Sequence, residues 1–195
     1  MGVYLNPGNV DFQEVLNSKI YVDKSELIQY TNSVLRTTQK YICVSRPRRF
    51  GKSMAANMLT AYYSRGCDSR EMFQGLKIAK HTGFEEHLNQ YNVIHLNMRD
   101  YLTESENMKQ LIQFVEEDLL DELQQEFADL RMPRRRTLVK VLEQAFAQYK
   151  IPFVFIIDEW DCIFRVHKSD AASQKTYLDF LRNLLEPVFI SVLRA

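Results

Sequence analysis

From Ile151 to Ile157 the chain reads Ile-Pro-Phe-Val-Phe-Ile-Ile, without a polar side chain, and then meets two carboxylates at Asp158 and Glu159. A strand with one wet face alternates apolar and polar residues. An unbroken apolar run of this length instead fits a strand covered on both faces, as in the middle of a parallel sheet. Parallel neighbours cannot be joined by a hairpin, and each connection needs a crossover of a dozen or more residues, normally a helix. The run therefore calls for helices on either side of it.

The rest of the sequence supplies them. Tyr41-Ile42-Cys43-Val44 and the alternating run at residues 93–98 predict two more strands, and residues 188–193 a last one. Met54, Ala55, Met58, Leu59 and Tyr62 fall on one face of a helix predicted over 52–63. Met108, Leu111, Ile112, Val115, Leu119, Leu123 and Phe127 form the stripe of a long helix, which Thr103-Glu104-Ser105-Glu106 is expected to cap. Further helices are predicted over 138–149 and 177–185, with Pro187 as the stop. Asp23-Lys24-Ser25-Glu26 reads as a capping box for a helix over about 24–31, and residues 1–20 read as an irregular lead-in with a turn at Asn6-Pro7-Gly8-Asn9. Strands separated by helices make an α/β layered domain with a mainly parallel sheet. We expect a lead-in and short helix over 1–40 and one domain over 41–195, since 195 residues leave little room for more.

Composition narrows the function classes. Hydrophobic residues make up 46% and charged residues 26%, which excludes a disordered or collagen-like chain. Lys plus Arg and Asp plus Glu both number 25, so no global charge grips nucleic acid or acidic lipid. Cys43, Cys67 and Cys162 are an odd set with no close pair, against a disulfide framework or zinc cage, and Cys43 is expected to be a small buried strand residue. No run approaches the roughly 18 apolar residues of a membrane span, and the first residues lack a basic start followed by an apolar run. The expectation is a cytoplasmic protein without a membrane partner.

The sharpest motif is Arg46-Pro47-Arg48-Arg49-Phe50-Gly51-Lys52-Ser53, between a predicted strand and a predicted helix, the context a phosphate-binding loop requires. Gly51 lets the backbone approach a phosphate. Lys52 places a charge on the β- and γ-phosphates, and the Ser53 hydroxyl suits Mg²⁺. The backbone of Arg48, Arg49, Phe50 and Gly51 and of the first helical turn at Lys52, Ser53 and Met54 forms the anion cradle of the expected ATP site. The motif G-x-x-x-x-G-K-[ST] has Gly first, where this chain has Arg46. The second half of such a site is a hydrophobic strand ending in acids, the Walker B position: Asp158 to hold Mg²⁺ and Glu159 to orient and deprotonate the attacking water. With Lys52, Glu159 is the expected catalytic group, while Ser53 and Asp158 are the expected metal ligands.

These elements, together with Ile20-Tyr21-Val22-Asp23-Lys24-Ser25 and Ile156-Ile157-Asp158-Glu159-Trp160-Asp161, resemble the bacterial AAA-ATPase-like family over nearly the whole chain. Arg in place of the first loop glycine is typical of that family. The resemblance implies ATP, Mg²⁺, hydrolysis and a three-layer P-loop NTPase fold of the additional-strand class, with sheet order 5-1-4-3-2. Members are usually longer and often carry a C-terminal domain similar to restriction-type nucleases. That domain, the sensor strand end and the lid are absent from this sequence, so the expectation is a C-terminally truncated domain.

Other features weigh less. Arg131, Arg134, Arg135 and Arg136 read as a solvated loop before a DNA contact. His81, His87, His95 and His167 lack metal-ligand spacing. Asp23 and Lys24 stand equally as a helix cap and as neighbours of the nucleotide. Asp161 stands equally as part of the field at the metal and as a structural hydrogen-bonding group, Trp160 reads as packing, and Arg165 and Arg182 are candidate arginine fingers. Two alternatives accompany the ATPase reading: a nucleotide-binding switch without turnover, and a DNA-interaction fragment.

Overall fold

The computed structural model describes residues 2–35, 37–44, 50–187 and 190–194. In chain order these form α1 (Val10–Leu16), α2 (Glu26–Val34), β1 (Tyr41–Cys43), α3 (Lys52–Tyr63), α4 (Arg70–Gln74), a 3-10 turn (Lys77–Lys80), α5 (Phe84–His87) and β2 (Asn92–Asn97). Then come α6 (Met98–Glu104), α7 (Met108–Glu126), α8 (Leu138–Tyr149), β3 (Phe153–Asp158), α9 (Cys162–Val166), α10 (Ala171–Leu185) and β4 (Ile190–Arg194). No helix among the described residues is long and apolar enough to cross a membrane.

The four strands make one parallel sheet in the order β1-β4-β3-β2. The strand that follows β3 in sequence thus enters between β1 and β3. All six residues of β3 are buried, as the apolar run requires. Its side chains divide by the two-residue period of a strand. Phe153, Phe155 and Ile157 join a core with Leu111, Val115 and Leu119 of α7, Val141 and Leu142 of α8, and Tyr177 and Leu181 of α10. Val154 and Ile156 join the opposite core with Phe12 of α1, Ile28 of α2, and Met58, Leu59 and Tyr62 of α3. Helices cover both faces, so β3 carries no polar residue until it leaves the sheet. At about 1.5–3 kcal/mol per buried large apolar side chain, this strand is a principal source of stability.

Several local expectations are corrected. Residues 1–20 are not an irregular lead-in: α1 buries Phe12, and Leu5 bridges Ile94 antiparallel. Asn6 N donates to Val93 O at 2.7 Å and His95 N to Tyr4 O at 2.9 Å, so this segment covers the free edge of β2. Glu122 of α7 holds it there by accepting from the amides of Val3, Tyr4 and Leu5. Thr103 and Glu104 belong to α6 and do not cap α7. Asn107 is the cap, its Oδ1 accepting from Gln110 N at 3.0 Å, while the Gln110 side chain accepts from Glu106 N. Ser25 precedes α2 but gives its first turn no side-chain cap bond; its Oγ accepts from Ile78 N instead. Cys43 is exposed, because only Ile42 of β1 faces inward.

Candidate functional site

Residues 45–49 lie outside the described residues, and with them the predicted contacts of Arg48 and Arg49. The described chain resumes at Phe50, and Gly51 caps α3 with φ 73° and ψ 39°, left-handed backbone in which a side chain is strained. A Cβ there would also stand 2.9 Å from Lys24 Nζ. That ammonium donates to Phe50 O at 2.7 Å, fastening the segment before α2 to the turn before α3. Lys52 is the first residue of α3, with Ser53 and Met54 exposed beside it. The amides of a first helical turn have no partner within the helix, and the helix dipole adds positive potential there. Gly51, Lys52 and Ser53 therefore bring helix-start amides and one ammonium together.

Two hollows flank this turn. One, of about 300 Å³, is lined by Ile20, Tyr21, Val22, Phe50, Met54 and Met58, with Lys24 and Gly51 at its side. Ile20, Val22, Phe50 and Met54 all rank among the large exposed apolar residues, and Ile20 is 84% exposed. Such a gathering at one spot marks a binding surface more often than chance exposure. The Tyr21 hydroxyl is pushed up to about 12, by burial first and by the charge of Asp23 second. The other hollow, of about 380 Å³, is bounded by Leu27, Val44 and Lys52 and shares Lys24, Phe50 and Gly51. Asp23 anchors the strap, residues 20–24, which borders both hollows. Its Oδ1 accepts from Ser25 N at 2.8 Å and its Oδ2 from Lys77 N at 2.9 Å. Burial alone would raise the Asp23 carboxyl, but these hydrogen bonds and the Lys77 charge outweigh it and leave it lowered.

The acidic pair leaves the sheet at the same edge. Cys43 is level with Arg194, and Arg194 with Ile157, so Asp158 stands level with the first residue after β1. One strand lies between them, and two inter-strand spacings put the exits of β1 and β3 about 10 Å apart. Asp158 is 5% exposed, and its Oδ1 accepts from Glu159 N at 2.8 Å. Glu159 turns the chain with φ 50°, unusual for a residue with a side chain, and its carbonyl accepts from Cys162 N. Its carboxylate is ion-paired with Arg165, whose Nη1 is also 3.2 Å from the Asp161 carboxylate. Trp160 packs on the first core edge-on to Phe164, and its carbonyl accepts from Tyr177 Oη.

The fold thus gathers Phe50, Gly51, Lys52, Ser53 and Met54 at one exit and Asp158 and Glu159 at the next but one. Arg165 is committed to Glu159 and Asp161 within its own chain, and exposed Arg182 pairs with Asp179. Among the described residues, no three His, Cys, Asp or Glu side chains cluster as a metal cage. Arg131, Arg134, Arg135 and Arg136 lie exposed between α7 and α8. Sequence reasoning did not find the Glu159–Arg165 pair: residues six apart do not touch within one helix or one strand, and here a turn at Glu159 brings them together. Nor did it find the bond from Lys24 to Phe50, 26 positions away.

A family model described as predicted AAA-ATPase matches residues 7–191. The chain belongs to this AAA-ATPase-like family. The span of the AAA-ATPase-like match takes in Ile20 to Lys24, Gly51 to Met54 and Asp158 to Arg165, so both sheet exits and the hollow between the strap and α3 lie inside it. Comparisons with curated proteins and with solved structures give no match.

Proposed function

We propose that this chain binds MgATP across the two sheet exits and hydrolyses it, and that its sheet is that of an additional-strand P-loop NTPase. The observation that carries the reading is the shared edge. A Gly-Lys-Ser turn that shares a hollow with Val44, the first residue after β1, enters a helix, and buried Asp158 with half-buried Glu159 ends β3 level with Val44, one strand between. Ligands in open α/β sheets bind outside the carboxyl ends of the strands.

In this reading Lys52 and the first-turn amides of α3 hold the β- and γ-phosphates. The base sits in the 300 Å³ hollow between Ile20, Tyr21, Val22 and Met54, where apolar side chains flank a flat ring. Mg²⁺ carried by a nucleotide keeps several waters and needs only one or two protein groups. Asp158, whose Oδ1 accepts from Glu159 N, and the Ser53 hydroxyl fit that demand, and the metal would supply charge neutralisation on the phosphates. Glu159 accepts a proton from water as the water oxygen bonds to the γ-phosphorus. The bond from that phosphorus to the bridging oxygen breaks, and its electron pair departs with ADP.

A second reading, a switch that binds nucleotide without turnover, is favoured by one observation: the Glu159 carboxylate is held by Arg165. Glu159→Gln separates the two. Gln keeps the shape but accepts no proton, so the variant is expected to bind MgATP within about twofold of wild type and to lose turnover by at least about a hundredfold. Equal, measurable turnover in the two chains removes Glu159 as the base, and tight binding with no turnover in either supports the switch.

A further inference from the structure

The Glu159–Arg165 pair lies in a turn that is otherwise fixed. Cys162 N donates to Glu159 O at 2.9 Å, Tyr177 Oη donates to Trp160 O at 3.0 Å, and Cys162 and Ile163 are buried in the first core. The backbone of Glu159 is therefore set by packing and needs no ion pair to hold it. What the pair sets is the carboxylate. Its side chain is 22% exposed and that of Arg165 30%, so solvent screens the pair only in part. A guanidinium on a carboxylate occupies the lone pairs through which a base takes a proton.

Arg165 also has somewhere to go. It lines a cavity of about 310 Å³ with Arg99, Leu102, Thr103, Cys162 and Val166. A rotation of its side chain into that space breaks its bonds to Glu159 and Asp161. Arg99, which lines the same cavity, carries the same charge and disfavours that position at rest, so the resting state is the paired one.

We propose that Arg165 is a positioning residue that restrains Glu159, withholding its carboxylate from water until the guanidinium swings toward the Arg99 cavity. The inference rests on the reading of Glu159 as the base. It assigns to Arg165 a role opposite to that of an arginine finger: its removal raises turnover.

The experiment measures MgATP affinity by calorimetry and turnover by phosphate release for wild type, Arg165→Ala, Arg165→Gln, Glu159→Gln and the double variant Arg165→Ala/Glu159→Gln. A restraint predicts that Arg165→Ala and Arg165→Gln raise kcat on the order of tenfold, a fraction of what a general base contributes, with MgATP affinity within about twofold of wild type. It also predicts that the gain vanishes in the double variant. A merely structural pair lowers the melting temperature of both Arg165 variants and leaves kcat the same or lower, which overturns the proposal. A gain that survives in the double variant also overturns it, because the effect then does not pass through Glu159. Failure of wild type to bind MgATP overturns the nucleotide reading itself, and is visible as an absent titration before any variant is compared.

Discussion

Replacing Gly51 with alanine probes the turn on which the phosphate reading depends. Gly51 has φ 73°, and left-handed backbone costs a residue with a Cβ about 1–2 kcal/mol. The new methyl would lie 2.9 Å from Lys24 Nζ and 3.4 Å from Met54 Sδ. Both are ends of flexible side chains, so the clash is relieved by moving Lys24 off the Phe50 carbonyl. That hydrogen bond is exposed, and its loss adds only about 0.5 kcal/mol. The sum is about 1.5–2.5 kcal/mol. In a chain of this size each kcal/mol moves the melting temperature by about 2–4 °C, so Gly51→Ala is expected to lower it by about 3–10 °C. Gly75→Ala is the control, because Gly75 caps α4 at φ −86° and an added Cβ meets nothing within 4 Å. Scanning calorimetry and urea unfolding of both variants give the comparison. A Gly51→Ala chain as stable as Gly75→Ala would refute the argument, since neither the backbone conformation nor the Lys24 contact would then be as described.

Other outcomes follow from burial. Cys43 is exposed, whereas burial pushes the Cys162 thiol up to about 11; iodoacetamide at pH 8 should therefore modify Cys43 first and Cys162 only on unfolding, and mass spectrometry showing the reverse order would contradict the placement of β1 and α9. His95 is held below its ordinary 6.5 by burial, which outweighs the opposing charges of Asp158 and Asp11. Above about pH 6.5 the imidazole is neutral in both states and the stability is fully present; as pH falls, the unfolded chain takes up the proton first, so stability is lost until the folded-state value is passed. Wild type should thus lose more stability than His95→Gln between pH 7.5 and 5.5 in urea titrations, and equal losses would count against the burial of the ring.

What the sequence made legible were features with a short-range cause. The apolar run before Asp158 specified a strand covered on both faces, and the helix after Gly51 spans the predicted 52–63 because glycine, then a run without breakers, bounds it. The Asp-Glu pair and the Gly-Lys-Ser turn were both found, as residue types at fixed offsets, and the fold brings them to one edge. What stayed hidden depended on contacts between distant segments. Leu5 and Asn6 gave no strand pattern, yet they cover β2 because Glu122, more than a hundred residues away, binds the Leu5 amide, and Val93 O accepts from Asn6 N. Ser25 resembled a cap from its neighbours, but the 3-10 turn at Lys77 to Lys80 took its hydroxyl. Cys43 resembled a buried strand residue because three positions cannot reveal which face of an edge strand is wet.

The central claim is that the start of α3 grips phosphate, and Lys52→Ala tests it most directly. Lys52 is a helix-start residue with no ion pair among the described residues, so its truncation should leave the melting temperature nearly unchanged. A charge-assisted contact to phosphate contributes about 1.5–3 kcal/mol, which corresponds to a loss of roughly ten- to a hundredfold in affinity. Titration calorimetry with MgATP should therefore show binding by wild type and at least about tenfold weaker binding by a folded Lys52→Ala chain. Equal MgATP affinity in the two folded chains would contradict the account.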